Sequence, residues 1–439
     1  MEFREEGEVE PVSPTGQYFN SSILSVAILA VLEFELPIDD SQALSLLQDV
    51  FVPINPRFSS IMISDNVDQK KQWKRVEVKL EDHVHVPIFP SKMSPESYDE
   101  YFDDYISNIA AEKLPQNRPL WEIHILKYPT SHAASTLIFK LHHALGDGYS
   151  LMGALLSCLQ TAQNPSVPLT FPSLKSSGPK TTRKTKTVSQ FFSAVFQTVS
   201  DFSWSILKSN FVEDDRTPIR SGEDGVEFRP ITLSTLTFSI DEIKLIKNKL
   251  GVVRLCTNFY LFIIMISDHL GAHKRSKSIK LTSNWSMLGW LSVNESCHEK
   301  KSPNYRLPLT KPQNNFRIFF SKKKKKKKNF RVFYKVVCLQ GVARYIHGTL
   351  KNSSMTISNM IGPVEKMALD NQPVGGLYFM AVGAPQCLTV TALSYMGKLR
   401  VAFGAEKGFI DSQKLKASMQ NAFGVILEAS NPIPPAKAS

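Results

Sequence analysis

The strongest constraint on the fold is an apolar run that ends in two histidines and a glycine-rich turn. Residues 135–141 are mostly β-forming and aliphatic, and positions 142–148 then read His-His-Ala-Leu-Gly-Asp-Gly. Side chains of a strand alternate between two faces, whereas the apolar residues of 149–160 recur at helical spacing. The pattern therefore predicts a strand, a tight turn and a helix in succession.

The two histidines are predicted to face opposite sides of this strand. His143 continues the more apolar row and is expected to be the one that points inward, whereas His142 shares its face with Lys140. A partly desolvated histidine titrates near neutrality, from an unperturbed pKa of about 6.5, and can accept a proton from a hydroxyl group. His143 is therefore the candidate general base, and His142 is expected to shape the site.

The rest of the turn is expected to be structural. Gly146 and Gly148 flank Asp147, and glycine tolerates the backbone of tight turns. Asp147 can cap the following helix or hold an arginine, and either role would fix the turn. An isolated His-His dipeptide on a strand commonly has no function and simply lies in the core or on the surface. The complete heptapeptide in a strand–turn–helix setting is much rarer by chance.

The remaining patterns indicate a mixed α and β protein with two cores. Ser94 followed by Pro95 predicts the start of a helix that extends to Lys113. The other predicted elements are strands at 22–38, 74–80, 84–89, 121–127, 135–142 and 231–238, helices at 42–50, 239–250 and 411–429, and a β-rich region at 356–400.

These elements suggest a division of the chain. The N-terminal subdomain is predicted at 1–163, a basic linker with an amphipathic helix and junction at 164–230, a C-terminal subdomain at 231–430 and a tail at 431–439. The linker helix, 191–207, carries aromatic and aliphatic residues on one side and basic residues before it. Core packing and contact with a membrane surface both remain open for this helix.

The charge of the chain gives little support for nucleic acid as its partner. Lys and Arg exceed Asp and Glu by 52 to 40, but seven lysines form one run, and without them the net charge of +12 falls to +5. The basic excess is thus largely local, and no zinc-finger spacing or RNA-recognition aromatic motif accompanies it. We predict no nucleic-acid partner.

Several other classes of protein or site are also disfavoured. The five cysteines are far apart and include no Cys-x-x-Cys pair, which argues against a disulfide framework or a thiolate metal site. His83 and His85 have a spacing compatible with metal binding, but without a third ligand they are interpreted as exposed strand residues, and no metal site is predicted. Residues 1–14 are acidic and lack the pattern of a signal peptide.

The heptapeptide resembles the active-site motif of the superfamily that includes chloramphenicol acetyltransferase, peptide-synthetase condensation domains and wax ester synthases. Within it, the chain is most similar to the plant branch of the wax ester synthase/diacylglycerol acyltransferase family. Supporting segments are Glu10-Pro11-Val12-Ser13-Pro14, Arg118-Pro119-Leu120-Trp121, Thr217-Pro218-Ile219-Arg220-Ser221-Gly222, Val226-Glu227-Phe228-Arg229, Ile357-Ser358-Asn359-Met360-Ile361-Gly362-Pro363-Val364-Glu365 and Ser394-Tyr395-Met396-Gly397.

The resemblance implies two chloramphenicol-acetyltransferase-like subdomains with the active site in a tunnel between them. It implies acyl-CoA as co-substrate without a further cofactor, a long-chain alcohol or diacylglycerol as acceptor, and His143 as the base. Asn359 would polarise the thioester or its oxyanion, or else stabilise a turn. A location at the endoplasmic reticulum membrane, the plasma membrane or both, facing the cytosol, is expected from the lipid substrates.

The resemblance is interrupted at 252–339, which contains the run of seven lysines at 322–328. Such a run is normally solvated, because packed lysines repel one another. An adenine tract would be translated as poly-lysine, so we interpret this stretch as untranslated or misframed sequence. If the stretch is genuine, an alternative is a catalytically inactive homologue that binds acyl-CoA or lipid.

Overall fold

The structure, a computed structural model, describes residues 10–64, 71–163, 169, 213–250 and 341–430. The predicted helix at 191–207, the segment 252–339 and the tail at 431–439 lie outside the described residues. No helix in the described ranges is both long enough and apolar enough to cross a membrane.

The described residues form strands and helices in a mixed α+β arrangement, as predicted. In chain order the strands are β1 (Glu10–Pro11), β2 (Ala27–Phe34), β3 (Ser60–Ser64), β4 (Lys71–Arg75), β5 (Val84–His85), β6 (Trp121–Leu126), β7 (Ser135–His142), β8 (Gln160–Thr161), β9 (Ile231–Ser239), β10 (Thr356–Ile361), β11 (Met367–Leu369), β12 (Gln372–Val382), β13 (Leu388–Tyr395) and β14 (Lys398–Glu406).

Helices connect and cover these strands. They are α1 (Pro14–Phe19), α2 (Asp40–Leu46), α3 (Val52–Ile54), α4 (Pro95–Ala111), α5 (Gly148–Ser157), α6 (Ile240–Leu250) and α7 (Ser412–Ser430), and residues 341–351 are also helical. Shorter turns are the π-helical Leu47–Phe51 and the 3-10 turns Pro56–Ser59, Leu80–Asp82 and Val226–Phe228.

A seven-stranded sheet joins the two halves of the chain. Its strand order is β5-β6-β7-β2-β12-β11-β8. The central strand β2 is antiparallel to β7 on one side and to β12 on the other. Because β12 belongs to the C-terminal half, the N-terminal half does not complete this sheet alone.

Two further sheets contain the remaining strands. A four-stranded sheet has the order β10-β13-β14-β9, and a three-stranded sheet has the order β1-β4-β3. β10 runs parallel to β13, which brings the segment around Asn359 beside the hairpin of β13 and β14.

Separate apolar cores hold the layers together. One face of the seven-stranded sheet packs Trp121 and Phe139 against Leu155 of α5. On the opposite face, Ile106 of α4 packs against Ile138 of β7. A further core, which includes Val390 of β13, Ile246 of α6 and Met419 of α7, fills the space behind the four-stranded sheet.

Several predicted elements are confirmed, and their ends have identifiable causes. α4 begins where predicted, because the Ser94 hydroxyl accepts a hydrogen bond from the Ser97 N–H at 3.3 Å. The predicted strand at 84–89 is wrong beyond His85, since Pro87 has no N–H to donate to a neighbouring strand. The strand predicted at 74–80 lies at 71–75 instead, where Arg75 pairs with Ser60, the first residue of β3.

The interpretation of His83 as an exposed strand residue is wrong. His83 is buried, its Nδ1 lies 2.7 Å from the Trp121 carbonyl oxygen, and its ring stacks on Trp121 at 4.1 Å. It follows a 3-10 turn and precedes β5, so it does not share a strand face with His85.

Tyr395 fixes the hairpin that crosses from the C-terminal half into the large sheet. Its hydroxyl accepts a hydrogen bond from the Met367 N–H at 2.9 Å and donates one to the Val374 carbonyl at 2.8 Å. Met367 begins β11 and Val374 lies in β12. One buried side chain therefore ties β13 to both of these strands.

We expect Tyr395→Phe to lower the free energy of unfolding by about 1–3 kcal/mol, because two buried backbone groups lose their partner. Urea denaturation followed by circular dichroism measures this loss. Tyr101→Phe is the matched control, since Tyr101 lies on the surface of α4 with 39% of its area exposed. Equal stability of the two variants would contradict the role of Tyr395.

Candidate active site

The histidine motif forms a short turn between β7 and α5. β7 ends at His142 and α5 begins at Gly148. Asp147 is the N-cap of α5, and its Oδ1 accepts a hydrogen bond from the Ser150 N–H at 2.7 Å. The predicted strand–turn–helix is confirmed, and Asp147 takes the helix-capping role.

The two glycines of the motif allow close packing. A Cβ at Gly146 would lie 3.2 Å from the Ser150 Cβ, and one at Gly148 would lie 3.6 Å from the Met360 Sδ. Neither glycine is among those with positive φ. Gly148 therefore marks the place where α5 approaches β10, which carries Met360.

Both ring nitrogens of His142 are engaged. Its Nδ1 accepts a hydrogen bond from the Ala144 N–H at 3.1 Å, and its Nε2 lies 3.1 Å from Ser25 Oγ. Burial, together with the nearby His143 and Lys71, lowers the pKa of His142 to about 3. A neutral ring whose lone pair accepts from the backbone is not free to act as a base.

His143 has a different environment. Its backbone N–H donates to the Val26 carbonyl at 2.9 Å, and its ring lies 4.5 Å from the Phe19 ring. Nδ1 is buried without a hydrogen bond to another described residue. Burial lowers the pKa of His143, while its own carbonyl oxygen and Asp147 oppose that effect. A neutral ring with its proton on Nδ1 has its lone pair on Nε2.

The expectation that His143 is the more inward histidine is wrong. His142 is 1% exposed, whereas His143 is half-buried. The polar row that His142 shares with Lys140 is itself covered, and Lys140 lies 3.5 Å from the buried Glu122. The alternation of polar and apolar residues along β7 does not show that α4 covers this polar row.

Sequence reasoning missed two side chains that contact the motif. Arg57 donates from Nη1 to the Leu145 carbonyl at 3.2 Å and from Nη2 to Glu10 at 3.0 Å. Ser25 contacts His142, as described above. Arg57 and Ser25 both lie far from the motif in the sequence. The one sequence signal for this contact was Glu10, the partner of Arg57, which belongs to a segment that supports the family resemblance.

The structure places Asn359 on the face of β10 opposite to the one that meets the histidine motif. In β10, Asn359 is paired with Ala392 and shares its face with Ile357, which packs on the core behind the four-stranded sheet. Met360 points to the opposite face, where it meets Gly148. Ser358 shares the face of Met360, so the backbone register presents Ser358 toward the motif.

A cleft opens beside His142 between residues of both halves of the chain. It contains about 480 Å³ of empty space, part of it open to solvent, and Ser25, Ala27 and His142 are among its lining residues. A second cleft, with about 420 Å³ of empty space that is also partly open to solvent, shares four lining residues with it, which are Ala110, Glu227, Val382 and Gly383. We call the two together the central cleft.

Sequence comparisons match both halves of the chain to one family. The family model described as "Wax ester synthase/diacylglycerol acyltransferase catalytic domain" matches residues 52–209, and the "WS/DGAT C-terminal domain" matches residues 322–426. Wax ester synthase/diacylglycerol acyltransferase 4 of Arabidopsis thaliana is 28% identical, over 90% of this chain and 85% of that protein.

Comparison with solved structures supports the fold. The wax ester synthase/diacylglycerol acyltransferase from Marinobacter aquaeolei VT8 aligns with a TM-score of 0.54 at 13% identity, over 96% of this chain and 99% of that one. The first condensation domain of the calcium-dependent antibiotic synthetase aligns with a TM-score of 0.50 at 10% identity, over 97% of each chain.

The environment of His142 predicts a pH dependence of stability. Its pKa is about 3 in the folded chain against 6.5 when unperturbed, so the unfolded chain binds the proton more readily. The stability contributed by neutral His142 is therefore present above its unperturbed pKa and is lost as the pH falls toward the folded value.

We expect the free energy of unfolding to fall between about pH 7.5 and about pH 5, and to fall less in His142→Gln than in the wild type. Urea titrations at the two pH values measure both slopes. His132→Gln, a change of an exposed histidine on the loop between β6 and β7, should keep the wild-type slope. If the slope of His142→Gln equalled that of the wild type, the neutral, buried His142 would not be a source of the pH dependence.

Proposed function

Because the chain belongs to the wax ester synthase/diacylglycerol acyltransferase family, we propose that it transfers a fatty acyl group from acyl-CoA to a hydroxyl group of a lipid. The acceptor is a long-chain alcohol, which yields a wax ester, or a diacylglycerol, which yields a triacylglycerol. Family membership supports an acyltransferase, and the substrates are our inference.

The observation that carries the mechanism is the difference between the adjacent histidines. His142 has both nitrogens engaged, whereas His143 retains an Nε2 lone pair on a half-buried ring. In the proposed reaction, His143 Nε2 takes the proton of the acceptor hydroxyl as its oxygen attacks the thioester carbon. The C–S bond then breaks, and the CoA thiolate leaves with that proton as free CoA.

The lowered pKa of His143 suits this role. A base that is already neutral at physiological pH needs no deprotonation before it accepts the proton of the hydroxyl. Asp147 lies close enough to raise the pKa, opposing the effect of burial, and its cap of α5 holds the turn that carries His143.

We expect His143→Ala to lower the rate of acyl transfer by roughly 10² to 10⁴. Labelled acyl-CoA, supplied with a long-chain alcohol or diacylglycerol and followed by lipid separation, measures the product, and thiol release measures free CoA. His132→Ala is the control, because His132 is exposed and outside the motif. Near wild-type turnover in His143→Ala would exclude it as the base.

The same assay separates the enzyme from an inactive homologue. A wild-type chain that binds acyl-CoA yet forms neither wax ester nor triacylglycerol would be a lipid-binding relative. Product with one acceptor and not the other would assign the acceptor class.

We further propose that the protein works at the cytosolic surface of the endoplasmic reticulum membrane or the plasma membrane, since its acceptors are dissolved in membranes. Fractionation of cells expressing the tagged chain tests this. We expect it in the membrane pellet and released at least in part by high salt, because salt screens contacts with anionic headgroups. Recovery entirely in the low-salt supernatant would contradict membrane association.

A further inference from the structure

The first helix of the chain packs against the histidine turn. Phe19 is the last residue of α1, and the centre of its ring lies 4.5 Å from that of His143, with 34° between the ring planes. The Phe19 side chain is 9% exposed, whereas His143 is half-buried. Phe19 therefore covers one side of the imidazole with an apolar surface and leaves part of it open.

Backbone contacts hold α1 and the turn in a fixed relation. The Val26 N–H donates to the Phe19 carbonyl at 3.3 Å, and the His143 N–H donates to the Val26 carbonyl at 2.9 Å. The backbones that carry the two rings are therefore joined through a single residue. A Cβ at Gly16 would lie 3.2 Å from the Ala144 carbonyl oxygen, so there is little room for a side chain where α1 approaches the turn.

A second contact fixes the other end of the turn. Arg57 connects the Leu145 carbonyl to Glu10 of β1, the strand that precedes α1. The turn is thus held at Leu145 by a hydrogen bond and at His143 by an aromatic contact. Only the second of these contacts touches the imidazole ring itself.

The C-terminal half of the chain supports Phe19. Phe19 forms a small apolar core with Leu24, Val26 and Leu350, and Ile346 packs against this core. Leu350 and Ile346 lie on the helix at 341–351. The ring that covers His143 is therefore itself packed against a helix from the other half of the chain.

We propose that Phe19 is a positioning residue that holds the His143 imidazole in the orientation needed for proton transfer, and that Leu350 of the C-terminal half supports it. This inference rests on the proposed role of His143 in acyl transfer. Without the Phe19 ring the imidazole can take other rotamers, and a displacement of about 1 Å can lower a rate by a factor of about 10².

Phe19→Ala is expected to lower kcat by about 10- to 100-fold, with little change in KM for acyl-CoA. Phe19→Leu keeps an apolar side chain in this position and should recover most of the rate. Phe238→Ala is the matched control, because Phe238 is 7% exposed and packs in the core behind the four-stranded sheet. It should lower the stability and keep the wild-type kcat. Equal losses of kcat in Phe19→Ala and Phe238→Ala would overturn the proposal.

Charged groups surround the turn on several elements, and a substitution of Phe19 removes none of them. Burial lowers the pKa of His143, whereas its own carbonyl oxygen and Asp147 raise it. A change in the titration of His143 on substitution of Phe19 would therefore report the loss of the covering ring. Among the described residues, the other titratable groups around the turn are His142 in β7, Glu10 in β1, Arg57 before β3 and Lys71 in β4.

Nuclear magnetic resonance of the full chain with labelled histidine measures this titration without turnover. The signal of His143 is assigned by its absence from His143→Gln. We expect the pKa of His143 to be higher in Phe19→Ala by about 0.5 to 1 pH unit, because water that reaches the ring favours its charged form. The acid limb of the pH profile of kcat should move in the same direction.

The remaining variants test where this effect comes from. Leu350→Ala should raise the pKa of His143 by less than Phe19→Ala does, and Phe238→Ala should leave it unchanged. An unchanged pKa in Phe19→Ala, or an equal rise in Phe238→Ala, would overturn the proposal, and an unchanged pKa in Leu350→Ala would overturn the support from the C-terminal half. If the wild type transfers no acyl group to any acceptor, the proposed function fails, whereas the titration still decides whether Phe19 controls the environment of His143.

Discussion

The geometry of the site depends on the pairing of β2 with strands on both sides. At one end of β2, Ala27 is paired with His142 of β7 and with Val382 of β12. Ser25 precedes this end, and Gly383 follows the partner residue in β12. Since successive side chains of a strand face opposite sides, a slip of one residue between β2 and β7 would exchange the environments of His142 and His143.

The two histidines show how adjacent residues acquire different chemistry from one sheet. Both have a pKa lowered by burial. His142 faces α4 and the cleft, where a backbone N–H and Ser25 occupy its nitrogens, whereas His143 faces Phe19 and keeps partial access to solvent. The hydrogen bonds, more than the burial, decide which of the two rings has a lone pair for a substrate.

The local elements of the site could be predicted from the sequence because their signals are local. The capped helix after Ser94, the hairpin of β6 and β7 and the turn closed by Asp147 each have their determinants within a few residues. The mixed fold class followed from these elements together with the family resemblance.

The remaining features depend on contacts between distant parts of the chain. The pairing of β2 with β12 brings Gly383 into contact with Ser25. Arg57 donates a hydrogen bond to the Leu145 carbonyl, and no periodic pattern in the sequence predicts this contact. The face on which Asn359 lies is set by its register with β13. Without a third metal ligand, the sequence favours an exposed strand position for His83, whereas in the structure the side chain is buried against Trp121.

The insertion of β12 into the large sheet also orders events during synthesis of the chain. Phe34 is paired with Val374, so β2 emerges from the ribosome long before its second partner exists. Until then β2 is an unpaired edge made almost entirely of apolar residues, and such edges invite pairing with other chains. A chaperone that shields β2 would therefore act during most of translation, and a messenger truncated before β12 would yield an aggregation-prone product.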